Sequence, residues 1–174
     1  NRSFELIHSF EVPFIAAVQG ACLGGGMEYA IACDVIVASE RATFGQPEIK
    51  LGFFPPYAAV RLPEIVGPSR AVEICTTGKI YSAAEAHAMG MLGYVTEPDQ
   101  LAAKVETIVK DIRACSPLII RLNKRAVQAH LGLPLADALA GVSDLFLNTL
   151  MKTEDTLEGI ASFYEKRKPE WKNR

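Results

Sequence analysis

The sequence predicts an α/β core over residues 1–98 followed by a helical region over residues 99–174. Three observations carry that prediction. Short apolar segments rich in β-branched residues alternate with helical pattern through the first hundred residues. Beyond Pro98 the texture changes, and every segment has helical periodicity. The composition, 49% hydrophobic and 22% charged over 174 residues, belongs to a globular chain long enough to bury one real core.

Taken in order, "NRSFELIHSF" is amphipathic and predicts a helix, and "VPFIAAVQG" predicts a buried strand closed by Gly20. Helical pattern runs from Gly25 to Cys33, and "DVIVAS" is a second strand. "ATFGQPE" predicts a brief extended piece that turns at Pro47. The prolines of "LGFFPPYAAVRLPEIVG" predict a loop and a short helix. "PSRAVEICTTG" has Pro68 near its first helical position and Gly78 just past its last. In "SAAEAHAMG", Ser82 and Glu85 form a capping box, and the helix stops at Gly90. "MLGYVTE" is the last strand. Four helical segments follow, "QLAAKVETIVKDIRACS", "PLIIRLNKRAVQAHLG", "LADALAGVSDLFLNTLMKT" and "DTLEGIASFYEKRK".

Bulk properties exclude several function classes. A net charge of −2 argues against a nucleic-acid binder that works through bulk electrostatics. Cys22, Cys33, Cys75 and Cys115 show no CxxC spacing and no nearby histidine pair. They predict buried free thiols of a reducing, cytoplasmic compartment, with neither a disulfide frame nor a metal site. No apolar run reaches the ~20 residues needed to span a bilayer, so no membrane partner is expected. The chain opens in mid-pattern, so Asn1 is not expected to be a natural N-terminus.

The chemistry concentrates in "VQGACLGGGMEYAIACD". Gly24, Gly25 and Gly26 come in succession at a helix start, with Glu28 inside the first turn. Glycine permits a ligand to approach the backbone closely, and a helix N-terminus leaves amide hydrogens unpaired at its positive end. Such a place suits a phosphate or an oxyanion formed during reaction. The phosphate motifs fit poorly. No Gly-Lys-Ser/Thr follows, and the dinucleotide pattern fails at its third glycine, where Tyr29 stands. Glu28 would also repel a phosphate, but not a neutral carbonyl. Alone it could be an acid placed for the helix dipole, worth ~0.3–1 kcal/mol. Glu48, at a turn leading into an apolar loop, adds a second carboxylate. Beside Phe53, Phe54 and Tyr57 it would be partly desolvated. Two carboxylates in unequal surroundings can hold one water and divide acid from base.

These residues closely resemble the crotonase (enoyl-CoA hydratase/isomerase) family. The matching text is "PFIAAVQGACLGGGMEYAIACDVIVASERATFGQPEIKLGFFP", "GPSRAVEICTTGKIYSAAEAHAMGMLGYV" and "ASFYEKRKPEWK". The resemblance implies a spiral of ββα turns followed by C-terminal helices, and trimers that pair into hexamers. It implies an acyl-CoA substrate and no cofactor apart from the coenzyme A of that substrate. Gly25 corresponds to the position whose N–H forms half of an oxyanion hole, with Gly24 beside it against the substrate. Glu28 and Glu48 match the two glutamates that flank a catalytic water. Family chains normally carry several tens of residues before this start, including the other oxyanion N–H and much of the CoA-binding surface.

The loop around Tyr57 departs from the short-chain hydratase pattern, which is glycine-rich there. It resembles instead the subfamily that hydrates cyclohexa-1,5-diene-1-carbonyl-CoA, with Phe53, Phe54 and Tyr57 lining a flat acyl pocket. In "ASFYEKRK" the family places a Phe and a Lys against the CoA nucleotide, here Phe163 and Lys166. Three apart on a helix, these two would share a face. A helix–helix packing role for Phe163 is the alternative. Two rival functions stay open: an enoyl-CoA isomerase, which typically needs one glutamate, and a non-catalytic RNA-binding member, against which the weakly acidic charge counts.

Overall fold

The computed structural model of the protein describes residues 2–174. The chain forms two compact units, one reaching Thr107 and the other spanning Ile108–Arg174. In the first unit the order is α1 (Arg2–Ser9), β1 (Ile15–Val18), β2 (Ala21–Leu23), α2 (Gly25–Ala32), β3 (Val35–Ser39) and β4 (Thr43–Gly45). A 3-10 turn (Pro47–Leu51) leads on to α3 (Pro56–Val66), α4 (Pro68–Thr77), β5 (Ile80–Ser82), α5 (Ala83–Ala88) and β6 (Tyr94–Thr96). The division between units falls inside α6 (Leu101–Arg113).

Among the described residues, six strands make two three-stranded sheets, ordered β1-β3-β6 and β2-β4-β5. From β1 to β4 the strands enter the two sheets alternately: β1 pairs in parallel with β3, and β2 with β4. Each of these two strand–strand–helix turns adds one strand to each sheet, the pattern of a ββα spiral, and β5 and β6, with α5 between them, complete the two sheets. The strand expected up to Gly20 is β1, and beyond that glycine the chain changes sheets and forms β2, which the sequence reading did not contain. β5 has no counterpart in the sequence reading. Its three residues close the second sheet antiparallel to β4.

Met27, Ile31, Phe44, Leu62, Ile74 and Tyr81 are fully buried and tie α2, β4, α3, α4 and β5 into one core. Helix ends follow their local chemistry. Gly78 closes α4 in the left-handed region, at φ 58°. Ser82 Oγ accepts from the Glu85 N–H, and Glu85 Oε2 accepts from the Ser82 N–H, completing the capping box. The expectation of buried thiols holds for Cys22 alone, whose thiol donates to the Gly26 carbonyl and is pushed up to about 11 by burial. Cys33 and Cys75 are half-buried and Cys115 is exposed.

The second unit contains α7 (Pro117–Gln128), α8 (Leu135–Asn148) and α9 (Glu154–Tyr164). Ser116 caps α7 and its hydroxyl also donates to Asp155, which is buried. Asp155 accepts from the N–H groups of Lys172 and Asn173, so the segment after α9 folds back on this unit. Trp171 donates from Nε1 to the Ala114 carbonyl, and its ring lies against Gly159. Among the described residues no helix is long and apolar enough to cross a membrane.

Candidate active site

Gly24 is the residue on which the site turns. It precedes α2 at φ 55° and ψ −128°, a conformation that a side chain opposes. Its N–H donates to the Gly45 carbonyl at 2.9 Å, and its own carbonyl accepts from the Glu28 N–H at 3.0 Å. Leu23 pairs with Gly45, so the residues following β4 run beside the first turn of α2. The 3-10 turn then lays Glu48 over Gly24. A Cβ added to Gly24 would fall 2.1 Å from Glu48 Oε1 and 2.8 Å from its Cδ. At Gly25 or Gly26 an added Cβ would meet nothing within 4 Å. The N–H groups of Gly25 and Gly26 enter no backbone hydrogen bond among the described residues, as expected at a helix start. A cavity of about 500 Å³ opens here, with Leu23, Gly24, Gly25, Glu48, Lys50 and Leu51 in its lining.

Glu28 is held from the other side. Only 7% exposed, it accepts at Oε1 from the N–H groups of Tyr57 and Ala58, each at 2.9 Å. Those amides belong to the first turn of α3, which begins at Pro55-Pro56 with no side-chain cap of its own. The carboxylate of α2 thus caps α3, and α3 in return fixes the carboxylate. Glu48 is bound differently: its Oε2 is buried and accepts no hydrogen bond among the described residues. One group senses both acids. Cys75 on α4 has its thiol pushed up, first by burial and then by the charges of Glu28 and Glu48. α4 packs on both α3 and the 3-10 turn, so Cys75 lies near enough to each carboxylate to feel its charge. No spacing in the sequence singles out Cys75. Only the packing of α4 brings it here.

The aromatic loop is arranged otherwise than expected. Phe53 and Phe54 are 56% and 66% exposed, so most of each ring stays in solvent. Gly52, at φ 90°, ends the turn and sends both phenylalanines outward ahead of the two prolines. Glu48 is covered by its contact with Gly24 instead. The Tyr57 ring stacks on Phe4 at 4.9 Å, and Phe4 meets Tyr29 at 4.6 Å. What Tyr57 gives the site is its backbone N–H, donated to Glu28.

Phe163 and Lys166 do not share a helical face. α9 ends at Tyr164, and Lys166 lies beyond it in the left-handed region, at φ 54°. The chain turns there because the Arg167 N–H returns to the Ser162 carbonyl and its guanidinium grips both oxygens of Glu158. Phe163, 80% exposed, is not part of a helix–helix core within this unit.

Comparison with known proteins shows where the chain belongs. A family model described as enoyl-CoA hydratase/isomerase matches residues 1–174. A probable enoyl-CoA hydratase of Rhizobium meliloti is 41% identical over 172 residues, covering 98% of this chain and 66% of the relative. A crotonyl-CoA hydratase of Syntrophomonas wolfei is 38% identical, covering 97% of this chain and 65% of its own length. The crystal structure of an enoyl-CoA hydratase from Bacillus anthracis superposes with a TM-score of 0.95 at 33% identity, covering 99% of this chain and 67% of that one. The chain thus spans about two thirds of the length of the proteins it resembles. Similarity over its whole length, on the same spiral of strands and helices, decides the question of kinship: the chain belongs to the enoyl-CoA hydratase/isomerase (crotonase) family.

Proposed function

We propose that the protein adds water across the conjugated double bond of an enoyl-CoA thioester, with Glu28 and Glu48 as its acid–base pair. The observation that carries this reading is the contact of Glu48 with Gly24, at a helix start whose next two amides lack backbone partners. The thioester oxygen accepts from the Gly25 N–H and gathers negative charge there as the double bond is attacked. Glu28 takes a proton from water while the water oxygen bonds to the β-carbon, and Glu48 gives a proton to the α-carbon. A proton passed from Glu28 back to Glu48 resets the pair for the next turnover. Relatives whose names include crotonyl-CoA hydratase support the substrate class. Keeping two glutamates favours hydration over isomerisation, which needs one.

Loss of crotonyl-CoA absorbance with formation of the 3-hydroxyacyl product tests this directly. Conversion of the non-conjugated isomer alone would mean an isomerase. Salt-sensitive retention on RNA without any turnover would mean a binding protein. The finer reading, a cyclic dienoyl acyl group, rests on "FFPPY" in place of glycines, and a higher kcat/KM for crotonyl-CoA than for the cyclic ester would remove it. Exposed Leu135, Leu139, Phe146 and Leu147 on α8 support association of copies into trimers or hexamers.

Phe163 and Lys166 are proposed to meet the CoA nucleotide, with the exposed ring stacking on adenine and the ammonium reaching a phosphate oxygen. Lys166→Ala is then expected to weaken CoA binding severalfold at low ionic strength and by less at ~0.15 M salt, where screening already removes part of the attraction. Titration of CoA into both proteins over a salt series checks it. Parallel curves would leave Lys166 no part in binding.

A further inference from the structure

The cavity that holds Gly25 and Glu48 is also lined by one cation, Lys50. We infer that Lys50 selects the acyl group, and that the site takes enoyl thioesters whose acyl chain carries a carboxylate beyond the double bond. This deepens the hydratase reading and rests on it.

Four features point this way. Lys50 enters no ion pair or hydrogen bond among the described residues, although Glu48 stands two positions away on the same turn. Its stem is already placed. A Cβ on Gly78 would lie 2.9 Å from Lys50 Cε and 3.2 Å from its Cγ, so the methylenes run flat across the glycine that ends α4. A side chain held in this way gives up less rotamer freedom on binding than a free lysine. The surface beside it, supplied by Leu23, Pro47 and Leu51, is apolar and gives the ammonium no competing acceptor there.

The fourth feature is distance along the substrate. The reacting carbonyl belongs at Gly25, in the same cavity as Lys50. The long pantetheine arm carries the phosphates of CoA well away from that carbonyl. A carboxylate one or two carbons past the double bond stays within the cavity. Brought near Glu28 and Glu48 without a cation, such a group would be repelled. Lys50 offsets that repulsion and gives the carboxylate a charged hydrogen-bond partner. The competing role is structural, since a cation near the last turn of α4 also suits the negative end of that helix. That role is indifferent to the substrate.

The test uses the whole protein, its Lys50→Met variant and its Lys50→Arg variant, with glutaconyl-CoA and crotonyl-CoA as paired substrates. The wild type is expected to prefer glutaconyl-CoA. Lys50→Met should cut the ratio of the two kcat/KM values by about 10–100-fold, mostly through KM, the loss typical of a charged hydrogen bond. Lys50→Arg should restore much of it. An unchanged ratio overturns the inference and assigns Lys50 to the end of α4. A loss seen on both CoA thioesters but not on the matching pantetheine thioesters assigns it to the phosphates, which also overturns it. Calorimetry with glutaryl-CoA and butyryl-CoA, which cannot be hydrated, reads the same selectivity without turnover. Tight, Lys50-dependent binding of glutaryl-CoA with no hydration of any ester would defeat the hydratase reading and leave the carboxylate contact standing.

Discussion

Glu28→Gln and Glu48→Gln are each expected to lower kcat for the best enoyl-CoA substrate by about 10²-fold or more, with a much smaller change in substrate affinity. General acid–base catalysis typically contributes about 10²–10⁴-fold, and a carboxamide cannot exchange the proton. The two variants should otherwise behave as folded protein, for different reasons. Gln at position 28 keeps an oxygen to accept from the Tyr57 and Ala58 amides, so α3 stays capped. Glu28→Ala removes that acceptor and should also lose about 1 kcal/mol of stability, the usual worth of a helix cap. Gln at position 48 replaces a buried oxygen that has no hydrogen-bond partner among the described residues, so no bond of the native fold is broken there. Steady-state kinetics beside thermal melts would separate chemistry from folding. Near-normal turnover in either glutamine variant would refute the two-glutamate mechanism.

Much of this molecule was legible in the sequence wherever a local rule decides. Pro68 and Gly78 bound α4, and Ser82 with Glu85 starts α5, because caps are written within four residues. β2 and β5 were not legible, since three residues show no alternation and their pairing partners lie elsewhere in the chain. The glutamates could be picked out, but not how they are held. Nothing in "GGGMEY" says that Glu28 will cap a helix starting 28 residues later, and nothing in "FGQPE" says that Glu48 will rest on Gly24. Phe53 and Phe54 misled for a related reason. Apolar character predicts burial only when the backbone turns the ring inward, and Gly52 turns it out. Lys166 failed at a boundary: helical pattern continues through "YEKRK", while the grip of Arg167 on Glu158 ends α9 early.

The three glycines separate by experiment as they do by geometry. Gly24→Ala should be the most damaging single-methyl change in the site. The residue sits at φ 55° and ψ −128°, where a Cβ costs on the order of 1–3 kcal/mol of strain, enough to lower Tm by several degrees. The added methyl would also stand 2.1 Å from Glu48 Oε1. That oxygen ends a flexible side chain, so the carboxylate is displaced and the turn beneath it need not unfold. A folded protein with kcat reduced by about 10²-fold or more is therefore expected, as for Glu48→Gln. Gly26→Ala is the control, because its Cβ meets nothing and alanine inside a helix is worth about 0.5–1 kcal/mol over glycine. It should melt slightly higher and keep its activity. The decisive measurement is the Gly24→Ala/Glu48→Gln double variant. If Gly24 acts by leaving room for the carboxylate, the two losses share one cause, and the double variant should be hardly slower than Glu48→Gln alone. Losses that multiply would show that Gly24 serves the reaction by another route, and the contact with Glu48 would then not be what holds the acid in place.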